Sequence, residues 1–194
     1  MNADKPKDGR TLRSERSQEK IVDAIVELIE AGTLVPTAEQ VARQAGVGIR
    51  TVFRHFNEMN ELYVRLDERV KDDYEQWFAG GNREGDLNER ISNLVIHFGR
   101  AFEKTTNLQM SVQAQFWRVE SLQKNYEGNV QKLRKSLMHW LPEMRSMSTE
   151  MIDAVCVAVS FEAWYRLRVV QKRSIPATHA AIEALLRGLL CNNS

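Results

Sequence analysis

Apolar positions recur at helical spacing along almost the whole chain. The first stripe falls at i, i+3, i+4, i+7 and i+8 and consists of Ile21, Ala24, Ile25, Leu28 and Ile29. This spacing predicts an amphipathic helix that begins near Ser14 and ends at Gly32, which supplies a left-handed C-cap. No segment shows the strict alternation of a half-buried strand, so the pattern predicts an all-α protein.

Further stripes of the same period follow in the rest of the chain. We expect the later helices to span residues 62–78, 86–104, 108–122, 124–140, 148–172 and 177–190. Ser148 is expected to begin the fifth of these, and Pro176 to lie in the first turn of the last. With three helices nearer the N-terminus, the count is about nine, split three and six.

Residues 37–56, which read TAEQVARQAGVGIRTVFRHF, predict two short helices joined by a tight turn. Thr37 followed three residues later by Gln40 is a capping box, which starts the first helix. Gly46 can adopt the positive φ that the turn requires, and Gly48 can cap the second helix. The shared core is predicted to contain Val41, Ala42, Ala45, Val47, Val52 and Phe56. This is the layout of a helix-turn-helix.

The outward face of the second short helix carries the candidate chemistry. Its residues are Ile49, Arg50, Thr51, Phe53, Arg54 and His55. A helix of this kind fits the major groove of DNA, where Arg50 at its start could bind guanine through two hydrogen bonds. Arg54 and His55 could add contacts to phosphate. The alternative is a helical hairpin with a solvated basic face.

Composition and charge limit the partners. The 194 residues include 27 basic and 26 acidic side chains, a net charge of +1, and 43% are hydrophobic. With so little net charge, attraction to DNA depends on local groups. Cys156 and Cys191 form no CxxC pair and indicate reduced thiols. Because no apolar leader and no uninterrupted apolar span of about 18 residues is present, we expect a cytoplasmic protein without a membrane partner.

Motifs of catalysis and metal binding are lacking. The sequence contains no HExxH, no P-loop, no GxSxG and no cluster of Cys and His. The acidic residues between 67 and 73 are spaced as on a solvated helix face. We therefore expect a protein that is not an enzyme, with no catalytic residue, metal site or cofactor.

Over residues 17–66 the chain resembles the TetR-type (TetR/AcrR) bacterial transcriptional regulators. The segments QEKIVDAIVELIEAG and TAEQVARQAGVGIRTVFRHF carry the resemblance, which extends weakly over the whole chain. It implies a three-helix DNA-binding domain whose third helix enters the major groove, followed by a six-helix ligand-binding and dimerisation domain. It also implies that DNA is contacted by Thr37, Gly48, Ile49, Arg50, Thr51, Phe53, Arg54 and His55, with Thr37 as a phosphate-binding cap.

The sequence departs from the family pattern at three positions. Phe53 replaces a usual Tyr and so lacks a hydroxyl for phosphate, Met59 replaces a usual phosphate-binding Lys, and Gly48 replaces a residue that is often Ser. Because each change removes a contact to DNA, the remaining basic residues must carry more of the attraction. These are Arg50 and Arg54, together with Arg10, Arg13 and Arg16 of the N-terminal segment.

The second half of the chain is rich in aromatic residues on the apolar stripes. Candidate effector-binding residues are Trp77, Phe98, Phe102, Phe116, Trp117 and Trp140. Together they suit a mostly apolar cavity for a small molecule, although core packing is the default interpretation for each residue alone.

The last two helices are candidates for a subunit interface. Residues 154–163 are small and apolar on most sides, and a second apolar strip lies near the C-terminus. Interface candidates are Val155, Val159, Ala163, Leu185 and Leu189. The resemblance implies that they pair across a two-fold axis, which fits a palindromic operator. The alternative is that both helices belong to the core of one subunit.

Together these features predict a flexible arm at residues 1–13, a DNA-binding domain at 14–58 and a ligand-binding and dimerisation domain at 59–194. The predicted function is that of a homodimeric, sequence-specific regulator, a repressor that a small, mostly apolar effector releases from double-stranded DNA. The alternative is a helical ligand-binding or adaptor module that does not bind specific DNA.

Overall fold

A computed structural model describes the backbone of residues 9–191 and the side chains of residues 12–191. The described residues form nine α-helices joined by loops, with no strand among them. The helices are α1 (Gly9–Glu30), α2 (Ala38–Gln44), α3 (Ile49–His55), α4 (Met59–Phe78), α5 (Leu87–Gln115), α6 (Glu120–Trp140), α7 (Thr149–Ala158), α8 (Phe161–Tyr165) and α9 (Ile175–Cys191). A 3₁₀ turn (Pro142–Ser146) precedes α7, and a π turn (Arg166–Val170) continues α8. The predicted all-α fold is confirmed.

The chain forms two compact units. Of the described residues, one unit contains those up to Asp72 together with Asn107–Gln123, and the other contains Asp73–Thr106 and those from Lys124 onward. Helices α4, α5 and α6 each contribute residues to both units. The functional division between residues 58 and 59 stays a prediction, because these units reflect packing rather than function.

The core of the first unit is built on the apolar stripe of α1. Ile21, Ile25 and Ile29 are buried on that stripe, and α2 and α3 pack against the same helix. The predicted helix-turn-helix core is present: Val41, Ala42, Val52 and Phe56 are buried, and Ala45 and Val47 pack against them half-buried. Leu62 and Leu66 of α4 complete this core.

Helix α1 begins earlier than predicted, which corrects the extent of the arm. Residues 9–13 are helical, so the segment 1–13 is not an arm throughout; residues 1–8 lie outside the described part. Once α1 is nucleated by its buried stripe, each further residue adds a hydrogen bond at little cost, so the helix extends into polar sequence. Arg13 and Arg16 therefore lie on a helix, and the side chain of Arg10 is outside the described residues.

Helix α5 replaces two predicted helices. A break was expected between residues 104 and 108, but the helix continues through Thr105 and Thr106 to Gln115. The Thr105 hydroxyl donates to the carbonyl of Ala101 (2.8 Å) and the Thr106 hydroxyl to that of Phe102 (2.7 Å). The hydroxyls thus bond to the preceding turn instead of breaking it. The break lies at residues 116–119, and α6 begins at Glu120.

The segment 148–172, predicted as one helix, is divided. Ser148 caps α7 as expected, accepting a hydrogen bond from the backbone nitrogen of Met151 (3.4 Å). Ser160 then begins α8, since its hydroxyl oxygen accepts from the nitrogen of Ala163 (3.2 Å). A serine side chain in the middle of an apolar run is therefore a second cap, which periodicity alone did not reveal.

No helix within the described residues combines the length and apolar character needed to cross a bilayer.

Candidate nucleic-acid interface

The turn between α2 and α3 has the geometry that the sequence predicts. The nitrogen of Thr37 donates to the side-chain oxygen of Gln40 (2.8 Å), and the nitrogen of Gln40 donates to the Thr37 hydroxyl (3.2 Å), which completes the capping box. Gly46 has φ 66°, and Gly48 is the N-cap of α3 with φ −73°. The capping box fixes the start of α2, and the positive φ of Gly46 fixes the turn that follows α2. The direction of α3 relative to α1 and α2 is therefore fixed.

Two stripes of different character lie on the exposed side of α3. The apolar stripe consists of Ile49 and Phe53, whose side chains are 37% and 45% exposed. The cationic stripe consists of Arg50 and Arg54, both exposed. Each stripe joins residues four positions apart, which are neighbours on a helix. The two stripes therefore present an apolar strip beside a positively charged one.

The remaining predicted contacts of α2 and α3 also lie near the surface. Thr37 and Gly48 are exposed and Thr51 is half-buried. The capping box uses the backbone nitrogens of Thr37 and Gln40 within the protein, which leaves the Thr37 hydroxyl proton and the Gln40 side-chain amide as donors for a phosphate.

His55 does not fit its predicted role as a charged phosphate contact. It is half-buried, and its Nε2 atom is covered by protein without a hydrogen-bond partner. Burial, and then the positive charge of Arg54, holds the pKa of His55 below its ordinary value of 6.5. The imidazole is therefore neutral at pH 7. The residue lies on the flank of α3 opposite the apolar stripe, where the sequence pattern did not distinguish a covered position from an open one.

The start of α4 carries negative charge instead of a lysine. Met59 is half-buried and packs against the core of the first unit. The Glu61 carboxylate accepts hydrogen bonds from the backbone nitrogen (2.9 Å) and the side-chain amide (3.1 Å) of Asn57. Sequence reasoning noted the loss of the lysine but missed this carboxylate, although an acidic residue in the first turn of a helix is a recognisable signal.

Three of the predicted effector-binding residues come together in the second unit, as packed core rather than as the wall of a cavity. Phe98, Phe102 and Trp140 are buried. Ring centroids of Phe98 lie 6.2 Å from Phe102 and 6.4 Å from Trp140, and Phe78 joins them at 5.6 Å from Phe98. The Nε1 of Trp140 and the Nε2 of the adjoining His97 are buried without hydrogen-bond partners.

The other three predicted effector residues do not join this cluster. Trp77 is exposed with Lys104 above its ring at 3.1 Å. Phe116 and Trp117 belong to the first unit, where their rings contact each other at 5.1 Å. Trp117 is 84% exposed, so it is not the buried ring that the apolar-cavity prediction requires. The reason is that the break between α5 and α6 falls at these residues, which places them on a loop.

An open depression of about 700 Å³ lies elsewhere in the second unit. It is lined by Asn82, Glu84, Gly85, Asn88, Glu89, Ser92, Asn93 and Arg187, and by none of the predicted aromatic residues. Arg187 donates to Asn88 (3.1 Å) and Glu183 (2.7 Å). Sequence reasoning missed this group, because polar residues on α5 and α9 meet only through tertiary packing.

The predicted interface residues divide into two groups. Val155 and Val159 are buried within the chain, at 0% and 2% exposure, so they are not available to a second subunit. Leu185 is 52% exposed, and Ala163 and Leu189 are half-buried. The prediction for the two valines is wrong because a helix that is apolar on most sides gives no sign of which face packs inward. Val157, on the opposite side of α7, is the exposed one at 67%.

No family model and no curated protein matches the sequence. Six solved chains match the structure. A transcriptional regulator from Rhodococcus sp. RHA1 shares 17% identity with a TM-score of 0.66, covering 92% of this chain and 96% of that one. A TetR transcriptional regulator from the same organism shares 19% identity with a TM-score of 0.53, covering 92% and 99%. The chain therefore has the fold of these regulators, as the sequence resemblance implied.

Proposed function

We propose that this chain is a sequence-specific DNA-binding transcriptional regulator that acts as a homodimer on a palindromic operator. The observation that carries the proposal is the α2–α3 hairpin, which is fixed by a capping box and a positive-φ glycine and presents exposed arginines on its outer face. In a helix-turn-helix the second helix lies in the major groove and its first residues contact base edges. In this proposal Arg50, the second residue of α3, donates two hydrogen bonds to a guanine.

Local energetics on α3 support a polyanionic partner. Arg50 and Arg54 are like charges at i, i+4, an arrangement that destabilises an isolated helix by about 0.2–0.5 kcal/mol. Helix α3 has only seven residues, and no side chain forms a capping hydrogen bond at its N-terminus. Its intrinsic stability is therefore low. Contact with DNA removes the repulsion, since phosphates and base acceptors face both guanidinium groups.

Selection of bound genomic DNA fragments by the purified protein tests this proposal. The expected result is an enriched palindrome whose half-sites are about 10 base pairs, or one helical turn, apart or a multiple of that. Recovery of fragments without a shared sequence, at low salt as well as at physiological salt, contradicts it. If a palindrome is enriched, the genes beside the enriched sites identify what is regulated.

The effector is proposed to bind in the aromatic cluster of the second unit. A small, mostly apolar molecule with one polar group could separate the rings of Phe98 and Trp140 and satisfy the buried nitrogens of His97 and Trp140. Its binding would favour a conformation in which the paired α3 helices no longer match two successive major grooves, and the repressor would leave the operator. Compounds that lower operator affinity and change the intrinsic tryptophan fluorescence of the wild type, but not that of Trp140→Phe, are the expected effectors.

The homodimer is proposed to use the outer faces of α7 and α9. These helices pack against each other within the chain, with Val155 and Leu186 buried. Val157 and Leu185 remain exposed on the same two helices. A second copy of the chain would cover both and set the spacing of the two α3 helices.

A module that does not bind specific DNA is the second candidate. The observation in its favour is the start of α4, where Glu61 presents negative charge and Met59 is half-buried. This candidate predicts no sequence-specific retention on DNA, so the fragment selection separates the two.

A further inference from the structure

The apolar stripe of α3 is unusual for a solvated helix. Ile49 and Phe53 are large, exposed and on the same helix face, beside two exposed arginines. Val52 and Phe56, which hold α3 on the core, are buried on the neighbouring face, so the stripe is not needed to anchor the helix. Features that break local rules without a structural gain are expected at functional positions.

The chemistry of this stripe selects one feature of DNA. An apolar side chain makes no hydrogen bond to a base edge and gains nothing from a phosphate. The apolar group that a base pair displays in the major groove is the 5-methyl of thymine. Phe53 has no hydroxyl that could redirect it to the phosphate backbone, so its ring is restricted to the same kind of contact.

The spacing of the stripe sets the spacing of the methyl groups. An α-helix rises about 1.5 Å per residue, so Ile49 and Phe53 are about 6 Å apart along the axis of α3. Successive bases of one strand are about 3.4 Å apart. A helix aligned with the groove therefore brings the two side chains over positions about two base-pair steps apart.

We infer that each half-site of the operator contains two thymines, about two base-pair steps apart, whose methyl groups are read by Ile49 and Phe53. The inference rests on the proposed function, and it names the sequence class that this surface recognises. The cationic stripe supplies the contacts to guanine and phosphate, and the apolar stripe adds discrimination against cytosine, which lacks the methyl group.

Replacement of single thymines by deoxyuridine tests the inference, because it removes the methyl group and leaves the hydrogen-bonding edge unchanged. The probe is the duplex enriched in the fragment selection, labelled for fluorescence anisotropy, with each thymine replaced in turn. Two positions per half-site are expected to lose affinity by about fourfold each, the value of one buried methyl group. Replacements outside the half-sites are expected to have no effect.

Variants assign each methyl group to a side chain. In Ile49→Ala and Phe53→Ala, sensitivity to deoxyuridine should disappear at one position each and persist at the other, as in a double-mutant cycle. Val130→Ala removes an apolar side chain of similar exposure on α6 and should retain the wild-type pattern. Far-ultraviolet circular dichroism shows whether each variant is folded, and the wild-type measurement decides the question even where a variant is not.

Each outcome has a distinct meaning. If a duplex is enriched and tightly bound but no deoxyuridine replacement weakens binding, the inference is wrong and the proposed function stands. The inference also fails if Ile49→Ala and Phe53→Ala weaken thymine and deoxyuridine duplexes equally. If no duplex is enriched at all, both the inference and the proposed function fail.

Discussion

Glu61 accepts two hydrogen bonds from Asn57, one from its backbone nitrogen at 2.9 Å and one from its side-chain amide at 3.1 Å. This pair joins the end of the α3 segment to the first turn of α4. The carboxylate stabilises the positive end of the α4 dipole, and it places a negative charge close to the proposed DNA surface. Stability and DNA affinity therefore make opposite demands on this residue.

Glu61→Gln is expected to separate these two effects. Loss of the charge should lower the free energy of unfolding by about 0.3–1 kcal/mol, because the interaction with the helix dipole is weakened. The same loss should raise affinity for operator DNA by about two- to fivefold at low salt, and less at high salt because of screening. Urea unfolding and anisotropy titrations at two salt concentrations measure the two quantities.

Glu68→Gln is the matched control for this prediction. Glu68 lies on the same helix, is exposed and pairs with Arg65. The Glu68→Gln substitution removes the same charge as Glu61→Gln, but from a position outside the first turn of α4. Equal gains in DNA affinity for both variants would show that net charge alone, not the position of Glu61, governs binding.

The two glycines of the α2–α3 turn should respond differently to alanine. Gly46 has φ 66°, so Gly46→Ala is expected to lower the free energy of unfolding by about 1–2 kcal/mol, the cost of left-handed backbone for an L-residue. Gly48 has φ −73° and open space where a side chain would begin, so Gly48→Ser should be tolerated and should add a few tenths of a kcal/mol through capping. Chemical denaturation measures the free energy of unfolding of both variants. Equal losses in Gly46→Ala and Gly48→Ser would contradict the positive φ of Gly46 in solution.

Local signals accounted for much of the first unit. The capping box of Thr37 and Gln40, the positive φ of Gly46 and the Gly48 cap were all predicted from residue type and spacing, and all are confirmed. Pro176 in the first turn of α9 is confirmed for the same reason. Each of these depends on residues within a few positions of one another, so their physics is present in a short stretch of sequence.

Tertiary packing accounts for the differences. A break between residues 104 and 108 was expected, yet the hydroxyls of Thr105 and Thr106 bond to carbonyls one turn back and α5 continues. Val155 was expected at an interface, yet it is buried because α7 turns that face towards the interior of the chain. The exposure of Trp117 depends on where α5 ends. Periodicity could not predict these three outcomes. An apolar stripe identifies the apolar face of a helix, but it does not identify which element packs against that face or where the helix ends.

Arg50→Ala is expected to weaken operator binding by about 1–3 kcal/mol and to relax base preference at one position per half-site. Arg50→Lys is the informative companion, because it keeps the charge but loses the paired hydrogen bonds. It should retain most of the non-specific affinity and lose the preference. Gel-shift titrations on the selected operator and on duplexes changed at single positions measure both, and unchanged affinity and specificity in Arg50→Ala would remove α3 from the interface.

Acid should destabilise the region around His55. Its pKa is held below the ordinary 6.5 by burial and then by Arg54. Below about pH 6.5 the unfolded chain binds a proton at His55 that the folded chain does not bind as readily. The contribution of neutral His55 to the free energy of unfolding is therefore fully present above that pH and is lost as the pH falls. His55→Leu should therefore show a smaller decrease in the urea midpoint between pH 7.5 and 5.5 than the wild type. His139→Gln, which removes an exposed imidazole from α6, tests whether any lost histidine has this effect.

Leu185→Glu is expected to dissociate the proposed dimer. Leu185 is 52% exposed on α9, and a charge there would be buried against the second copy without a partner. Val130→Glu, at 42% exposure on α6, places the same charge outside the proposed interface and should remain dimeric. Sedimentation equilibrium at micromolar concentration gives the masses.

Operator affinity should fall steeply in the monomer, because the two half-sites are then bound independently and the gain from linked binding is lost. A wild-type chain that sediments as a monomer, or a Leu185→Glu variant that remains dimeric together with Val157→Glu, would place the proposed interface elsewhere or remove it.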